Sequence, residues 1–286
     1  MNNTMMVHRC VQLEQHMCRV VCEVIAFDTH PHRTVWLELS TYISPVPTPL
    51  CIFWSMEAPP KHVPKLIVFD LDMCMWSPEM HELSSKPTKS IHGSFLHNLG
   101  EGVVGAQDLK SNDIVTIFPG ALLAMQELYQ LKEFSNTKVA AASSSLEPTY
   151  SHACLDILEI LPGVPMRNIF SFFAIGRTKE CGDLTSDKKT HFKKIKNESN
   201  IEFNDMLFFD DCNWSDHVGK IEQAHGVMGQ RTPEGLTVSE WRSALVRFDE
   251  ERGSVEEIGD GGSSEGDTGR SSSSSGGGGG GGEKKE

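Results

Sequence analysis

Four short, uninterrupted apolar runs, separated by segments of helical length, constrain this chain more than any other feature. They are KLIVFD (65–70), TKVAAAS (137–143), RNIFSFF (167–173) and DMLFFDD (205–211). A strand with one wetted face alternates apolar and polar residues, whereas a continuous run reads as a strand covered on both faces, as in a parallel sheet. Between the runs, ALLAMQELYQLKEF (121–134), YSHACLDILEIL (150–161), KKTHFKKIKNES (188–199) and HVGKIEQAHG (217–226) place apolar residues at helical spacing. This alternation predicts right-handed βαβ units and an α/β fold: an open, Rossmann-like, doubly wound parallel sheet.

The flanking segments fall outside that pattern. From Gly253 to Glu286 the only apolar side chains are Val255 and Ile258. Burial cannot offset ordering entropy there, so the segment reads as a disordered, acidic, Gly/Ser-rich tail. The predicted organisation is an N-terminal extension of uncertain fold over 1–64, one α/β domain over 65–249, and the tail over 250–286. In the extension, His8, Cys10, His16, Cys18 and Cys22 fit no closed zinc spacing and read as buried or free thiols and ordinary histidines. Within the domain, Ser77–Asp113 is rich in His, Ser, Gly and Lys. It lacks a strong period, and predicts a loose flap beside the site with no folded cap of its own.

Several function classes drop out. A formal net charge of −13 disfavours binding to a phosphate backbone, so no nucleic-acid partner is expected. No apolar run reaches the roughly 18–20 residues of a membrane helix, and VVCEVIAF, interrupted by Glu23, makes no signal peptide. Eight cysteines without a secretory signal fit reduced thiols. The expected location is cytoplasmic, with no membrane partner.

In open α/β sheets the ligand crevice lies beyond the carboxyl ends of the strands. The first run delivers Asp70-Leu71-Asp72 there, the second Ser143-Ser144-Ser145 and the fourth Asp210-Asp211, while Lys188 opens the helix before the fourth. Carboxylates from two strands make an oxygen-rich site for a hard cation such as Mg²⁺, which needs only two or three protein oxygens beside water and a substrate phosphate.

FDLDMCMW resembles motif I of the haloacid dehalogenase superfamily, DxDx(T/V). VAAASS is similar to its motif II, Lys188 to the motif III lysine and FFDD to motif IV. The strings PKLIVFDLD, VAAASS, KKTHF and MLFFDD most resemble the family of eukaryotic magnesium-dependent phosphatases, members with a minimal cap, over about residues 64–249. Asp211, where Asn is usual, sets the chain apart from phosphatases of the polymerase C-terminal tail.

The resemblance implies an Mg²⁺-dependent phosphatase acting on a phosphorylated small molecule or phosphoprotein, of phosphotyrosine or phosphosugar type. It implies Asp70 as nucleophile, forming an aspartyl-phosphate, and Asp72 as general acid and then base. It implies Mg²⁺ on Asp70, the Asp72 carbonyl and Asp211, with Asp210 as alternative or support. Ser143 and Ser144 stand at the substrate-binding positions of motif II, and Lys188 offsets the charge of nucleophile and phosphate.

Two positions depart from the family pattern: Cys74 replaces the motif I Thr or Val, and Ser144 replaces an arginine. They motivate the alternative, a catalytically weakened member serving as a phosphate-dependent binding or scaffold protein. Truncation after Arg252 is expected to leave the melting temperature and any turnover nearly unchanged, because the residues removed carry almost no apolar surface. A thermal melt and a turnover assay check this.

Overall fold

The structure, a computed structural model, describes residues 60–95 and 99–260, with side chains through Ser254. The possible zinc residues His8 to Cys22, nearly all of the extension, and the tail beyond Asp260 lie outside the described residues. In chain order the elements are β1 (Leu66–Phe69), β2 (Trp76–Ser77), β3 (Lys89–Ser94), β4 (Glu101–Gln107), β5 (Ile114–Ile117), α1 (Pro119–Gln130), β6 (Lys138–Ser143), α2 (Pro148–Ile157), β7 (Glu159–Leu161), β8 (Val164–Pro165), β9 (Phe172–Ile175), α3 (Lys188–Ser199), β10 (Met206–Asp210), α4 (His217–His225), β11 (Met228–Arg231) and α5 (Val238–Asp260).

Five strands form the parallel sheet in the order β11-β10-β1-β6-β9. Its continuous apolar runs serve two cores. Ile67, Phe69, Val139, Ala141, Leu207 and Phe209 pack with α1, α2 and α5 on one face. Leu66, Val68, Ala140, Ala142, Met206 and Phe208 pack with α3 and α4 on the other. That period-two partition explains why every position of these runs is apolar. On the first face Trp241 of α5 packs beside Phe69, Phe209 and Phe134, and its indole N–H donates to Glu127 of α1 at 2.7 Å.

Local pattern and structure part company at several places. The third run was expected to be one strand over 167–173. Met166–Ile169 instead forms a 3₁₀ turn, and the strand starts at Phe172. An apolar run does not by itself separate a strand from a buried turn. The helix read through Leu161 stops at Ile157, where Leu158 turns to extended backbone and β7 begins. β11 was not anticipated, because MGQR at a sheet edge carries only one large apolar residue. At the far end, α5 runs to Asp260, past the 249/250 boundary read from composition, and Arg252 stacks on Phe248 at 5.1 Å.

The 77–113 insertion is not a loose flap. Together with Trp76 and the following Ile114–Ile117, it builds a four-stranded antiparallel sheet, β2-β5-β4-β3, with β4 anchored where the Val103 N–H donates to Glu159 of β7 at 2.9 Å. Its alternation was hidden because β3 (KSIHGS) faces solvent almost throughout, and because Gly93 leaves room for Val104, whose methyl would lie 2.8 Å from a Cβ there.

One side chain ties the ends of this sheet together. Asp108, fully buried, accepts from the backbone N–H groups of Ser84 (2.8 Å), Ser85 (2.9 Å) and Lys110 (2.7 Å), and from the hydroxyls of Ser111 (2.7 Å) and Ser85. Burial alone would raise its pKa, but these donors outweigh it and hold the carboxyl well below the usual range. A depressed folded-state pKa contributes stability above the unfolded value of about 3.9, and loses it as pH falls through the folded value. Asp108→Ala is expected to lower the melting temperature by several degrees at neutral pH. The gap to wild type should close under strong acid, as read by thermal melts across a pH series.

Candidate active site

The parallel register brings the site together. Phe69 pairs with Phe209, and the ladder continues one step, the Asp70 N–H donating to the Phe209 carbonyl at 2.9 Å, so Asp70 and Asp210 end neighbouring strands side by side. After each acidic pair the chain leaves through a residue in the left-handed region, Met73 (φ 56°) and Cys212 (φ 59°). Such a backbone is uncommon for a side chain with a Cβ and clusters where a site constrains the loop.

Lys188, 1% exposed, reaches in from the first turn of α3. Its ammonium lies 2.7 Å from Asp70 Oδ1 and 2.5 Å from Asp210 Oδ2. Burial would lower the pKa of this lysine, but the two carboxylates more than offset it and keep it charged. Asp210 also accepts from the Cys212 N–H at 2.8 Å and approaches His217 Nδ1 at 3.3 Å. Burial opposes ionisation of Asp210, yet Lys188 and His217 hold its pKa low.

Asp70 and Asp211 go the other way. Burial raises Asp70, and the neighbouring Asp210 and Asp211 raise it further against the pull of Lys188. Asp211 is raised by burial and then by Asp210. Ligand oxygens of Asp70, Asp210 and Asp211 lie within 4.8 Å of one another. Three carboxylates against one lysine leave an excess of negative charge on an all-oxygen donor set, which suits a hard divalent cation.

An open cleft of about 550 Å³ covers this edge, lined by Asp70, Asp72, Ser143, Ser144 and Asp211 among others. Asp210 and Lys188 stand behind its floor. All the site residues expected from the sequence are therefore gathered at one place. Asp72 is half-buried and pinned by the Trp76 indole N–H at 2.9 Å; burial pushes its carboxyl up to about 6 despite that bond. The backbone of Ser143 is fixed through its carbonyl, to which the Gly176 N–H donates at 2.8 Å. That carbonyl also lies 3.1 Å from Nε2 of His191, a ring that burial and then Lys188 keep neutral, with a pKa near 4.

Sequence reasoning missed His217, Arg177, Glu79 and His81, all of which line the cleft. His217 had a faint signal, at the start of a helix six residues after motif IV; the others are set by tertiary contacts. Trp76 is core, while Trp214 is 77% exposed on the rim and donates its indole N–H to Glu79 at 3.0 Å. Cys74 is fully buried and does not line the cleft. Burial pushes the Cys212 thiol up to about 12, so it is protonated at neutral pH and no competing nucleophile. Along α3, Lys189 pairs with Asp187, Lys194 with Glu198 and Lys196 with Glu202. The 84–118 stretch contributes nothing to the cleft lining among the described residues, which leaves that side open. No helix among the described residues is long and apolar enough to cross a membrane.

Comparison with known proteins finds several to which this chain is similar. A HAD-like hydrolase superfamily protein of Schizosaccharomyces pombe is 27% identical over 153 residues, covering 52% of this chain and 76% of that protein. Among solved structures, the N-terminal part of BF1531 from Bacteroides fragilis, containing a phosphatase domain and complexed with Mg, is 15% identical. It aligns with a TM-score of 0.39 over 61% of this chain and 37% of that one, little more than a third of its length. CbbY from Rhodobacter sphaeroides, in complex with phosphate, is 14% identical with a TM-score of 0.36, covering 58% of this chain and 85% of that one. The family model described as Acid Phosphatase matches residues 62–251, nearly the whole described domain, and the chain therefore belongs to the acid phosphatase family of the haloacid dehalogenase superfamily.

Proposed function

We propose that this phosphatase hydrolyses phosphate monoesters, of phosphotyrosine or phosphosugar type, through a phosphorylated Asp70 and with the help of Mg²⁺. The observation that carries the reading is the position of Asp70: its carboxylate opens onto the cleft while one oxygen lies 2.7 Å from the buried Lys188 ammonium. That contact holds a nucleophile in place and sets a fixed positive charge where phosphoryl charge gathers.

In the first step an Asp70 oxygen attacks phosphorus, the bond from phosphorus to the leaving oxygen breaks, and Asp72 gives that oxygen a proton. In the second, water attacks the same phosphorus, Asp72 takes a proton from the water, and the bond to Asp70 breaks to release inorganic phosphate. The indole of Trp76 keeps Asp72 aimed for both transfers. Ser143, and Ser144 beside it, donate to phosphoryl oxygens. When bound, Mg²⁺ would neutralise phosphoryl charge and align the phosphate with Asp70. Asp70, the Asp72 carbonyl and Asp211 would hold it. Asp211 suits direct ligation because it lines the cleft and stands clear of Lys188, held by the Asn213 N–H at 3.2 Å, whereas both Asp210 oxygens are engaged by Lys188 and the Cys212 N–H. The burial of Cys74 away from the cleft gives the scaffold alternative no support.

Asp70→Asn is expected to drop turnover to background. Asp72→Asn should cost about 10²–10⁴-fold and accumulate enzyme phosphorylated on the Asp70 peptide, because dephosphorylation needs the base whatever the leaving group. Mass spectrometry of a quenched reaction with nitrophenyl phosphate reads both. Near-normal turnover in Asp70→Asn, or label on Cys212, would overturn the mechanism. Activity should also vanish in EDTA and return with added Mg²⁺, and full activity in chelator would remove the metal from the proposal.

A further inference from the structure

The cleft contains an arginine that the phosphatase reading does not use. Arg177 follows β9, is exposed, and lines the cleft with Ser144 and Ser145. Among the described residues its guanidinium has no hydrogen-bond or ion-pair partner. Other basic groups at the cleft are engaged: Lys188 with Asp70 and Asp210, His81 with Glu79 at 3.0 Å, and Lys220 with the Ser215 hydroxyl at 2.5 Å.

The root of Arg177 is held firmly while its head is free. Gly176, just before it, donates its N–H to the Ser143 carbonyl at 2.8 Å. Nε2 of the buried His191 lies 3.1 Å from both the Gly176 and Ser143 carbonyls, so one N–H spans the ends of β6 and β9. Gly176 adopts φ 109°, and a Cβ there would lie 2.2 Å from Cys181 Sγ and 3.3 Å from Pro148, so the turn is clamped on both sides. A side chain on a fixed backbone loses less freedom on binding than one on a mobile loop.

β1, β6 and β9 are successive strands. Phe69 is level with Ala141 and Ala141 with Phe173, so Arg177 lies two strands across, at about 4.8 Å each, and three residues beyond the level of Asp70, which puts the two roots roughly 10 Å or more apart. Ser143 on the intervening strand and Lys188 already face the transferred phosphoryl, so Arg177 stands opposite a more distant part of the substrate. Elsewhere the cleft wall carries the carboxylates of Asp72, Glu79, Asp187 and Asp211 together with His81, His217 and Lys220. A second anionic group would be repelled by these carboxylates and drawn to Arg177, the guanidinium of the lining, whose planar fork suits a carboxylate or phosphate.

Building on the phosphatase reading, we infer that Arg177 is a specificity-determining residue. It grips a second anionic group on the leaving portion of the substrate, so the chain selects phosphate monoesters that carry a further carboxylate or phosphate. It thereby supplies, from a different strand, the cation missing at Ser144.

The test compares carboxyphenyl phosphate with phenyl phosphate in the presence of Mg²⁺. Wild type should prefer the carboxylated ester, and Arg177→Ala should erase about ten- to a hundredfold of that ratio in kcat/KM, mainly through KM. Arg177→Lys should recover only part, since an ammonium cannot form the fork. An unchanged ratio, or equal loss on both esters, would overturn the inference. Calorimetric titration with carboxyphenylphosphonate and phenylphosphonate reads the same contact without turnover. If wild type hydrolyses neither ester but still binds the carboxylated phosphonate more tightly, and Arg177→Ala does not, the phosphatase reading fails and the Arg177 contact stands. Equal binding of the two phosphonates by wild type overturns the contact itself.

Discussion

A lysine buried between two carboxylates governs the business end of this sheet. Desolvating a charge in a protein interior costs several kcal/mol even after relaxation, and such a group persists only when partners satisfy it. Lys188 has Asp70 and Asp210 within 2.7 Å, and through them the start of α3 is fastened to the ends of β1 and β10. Removing one partner of a buried pair typically costs about 3–5 kcal/mol, so the contact that would arm the proposed nucleophile also holds the strand ends together.

The charge balance around that lysine is deliberately incomplete in one direction. Asp210 is spent on Lys188, on the Cys212 N–H and on His217, and it lies behind the cleft floor. Asp70 and Asp211 open to the cleft with more negative charge than Lys188 can neutralise, and their pKa values are raised first by burial and then by the neighbouring carboxylates. The adjacent carboxylates of motif IV therefore differ in their work: one is structural and anchors the lysine, the other remains available to a cation.

Access is set by what lies beside the sheet. A folded cap would close over the strand ends, but here the long insertion forms its own antiparallel sheet, tied to β7 through Glu159 and to itself through Asp108. The cleft is instead rimmed by short contacts between loops, such as Trp214 to Glu79. Specificity then falls to individual side chains at the strand ends, and Arg177, without a partner among the described residues, stands on its clamped turn for the role inferred above.

The linear pattern alone determined the α/β class, the parallel core strands and the residues collected at their ends. Asp70, Asp72, Ser143, Asp210 and Asp211 were legible because each ends or follows an apolar run whose two-sided burial is a local property of the strand, and Lys188 because it opens the amphipathic helix before the fourth run. The solvent-facing β3, the edge strand β11 and the turn inside RNIFSFF were not, since their backbone is stabilised by neighbours distant in sequence and not by an apolar period of their own. The division of labour between Asp210 and Asp211, the neutral His191 joining two strand ends, and the free guanidinium of Arg177 belong to the tertiary structure. Identical side chains one residue apart acquire different roles only when folding decides which of them meets the lysine and which meets the cleft.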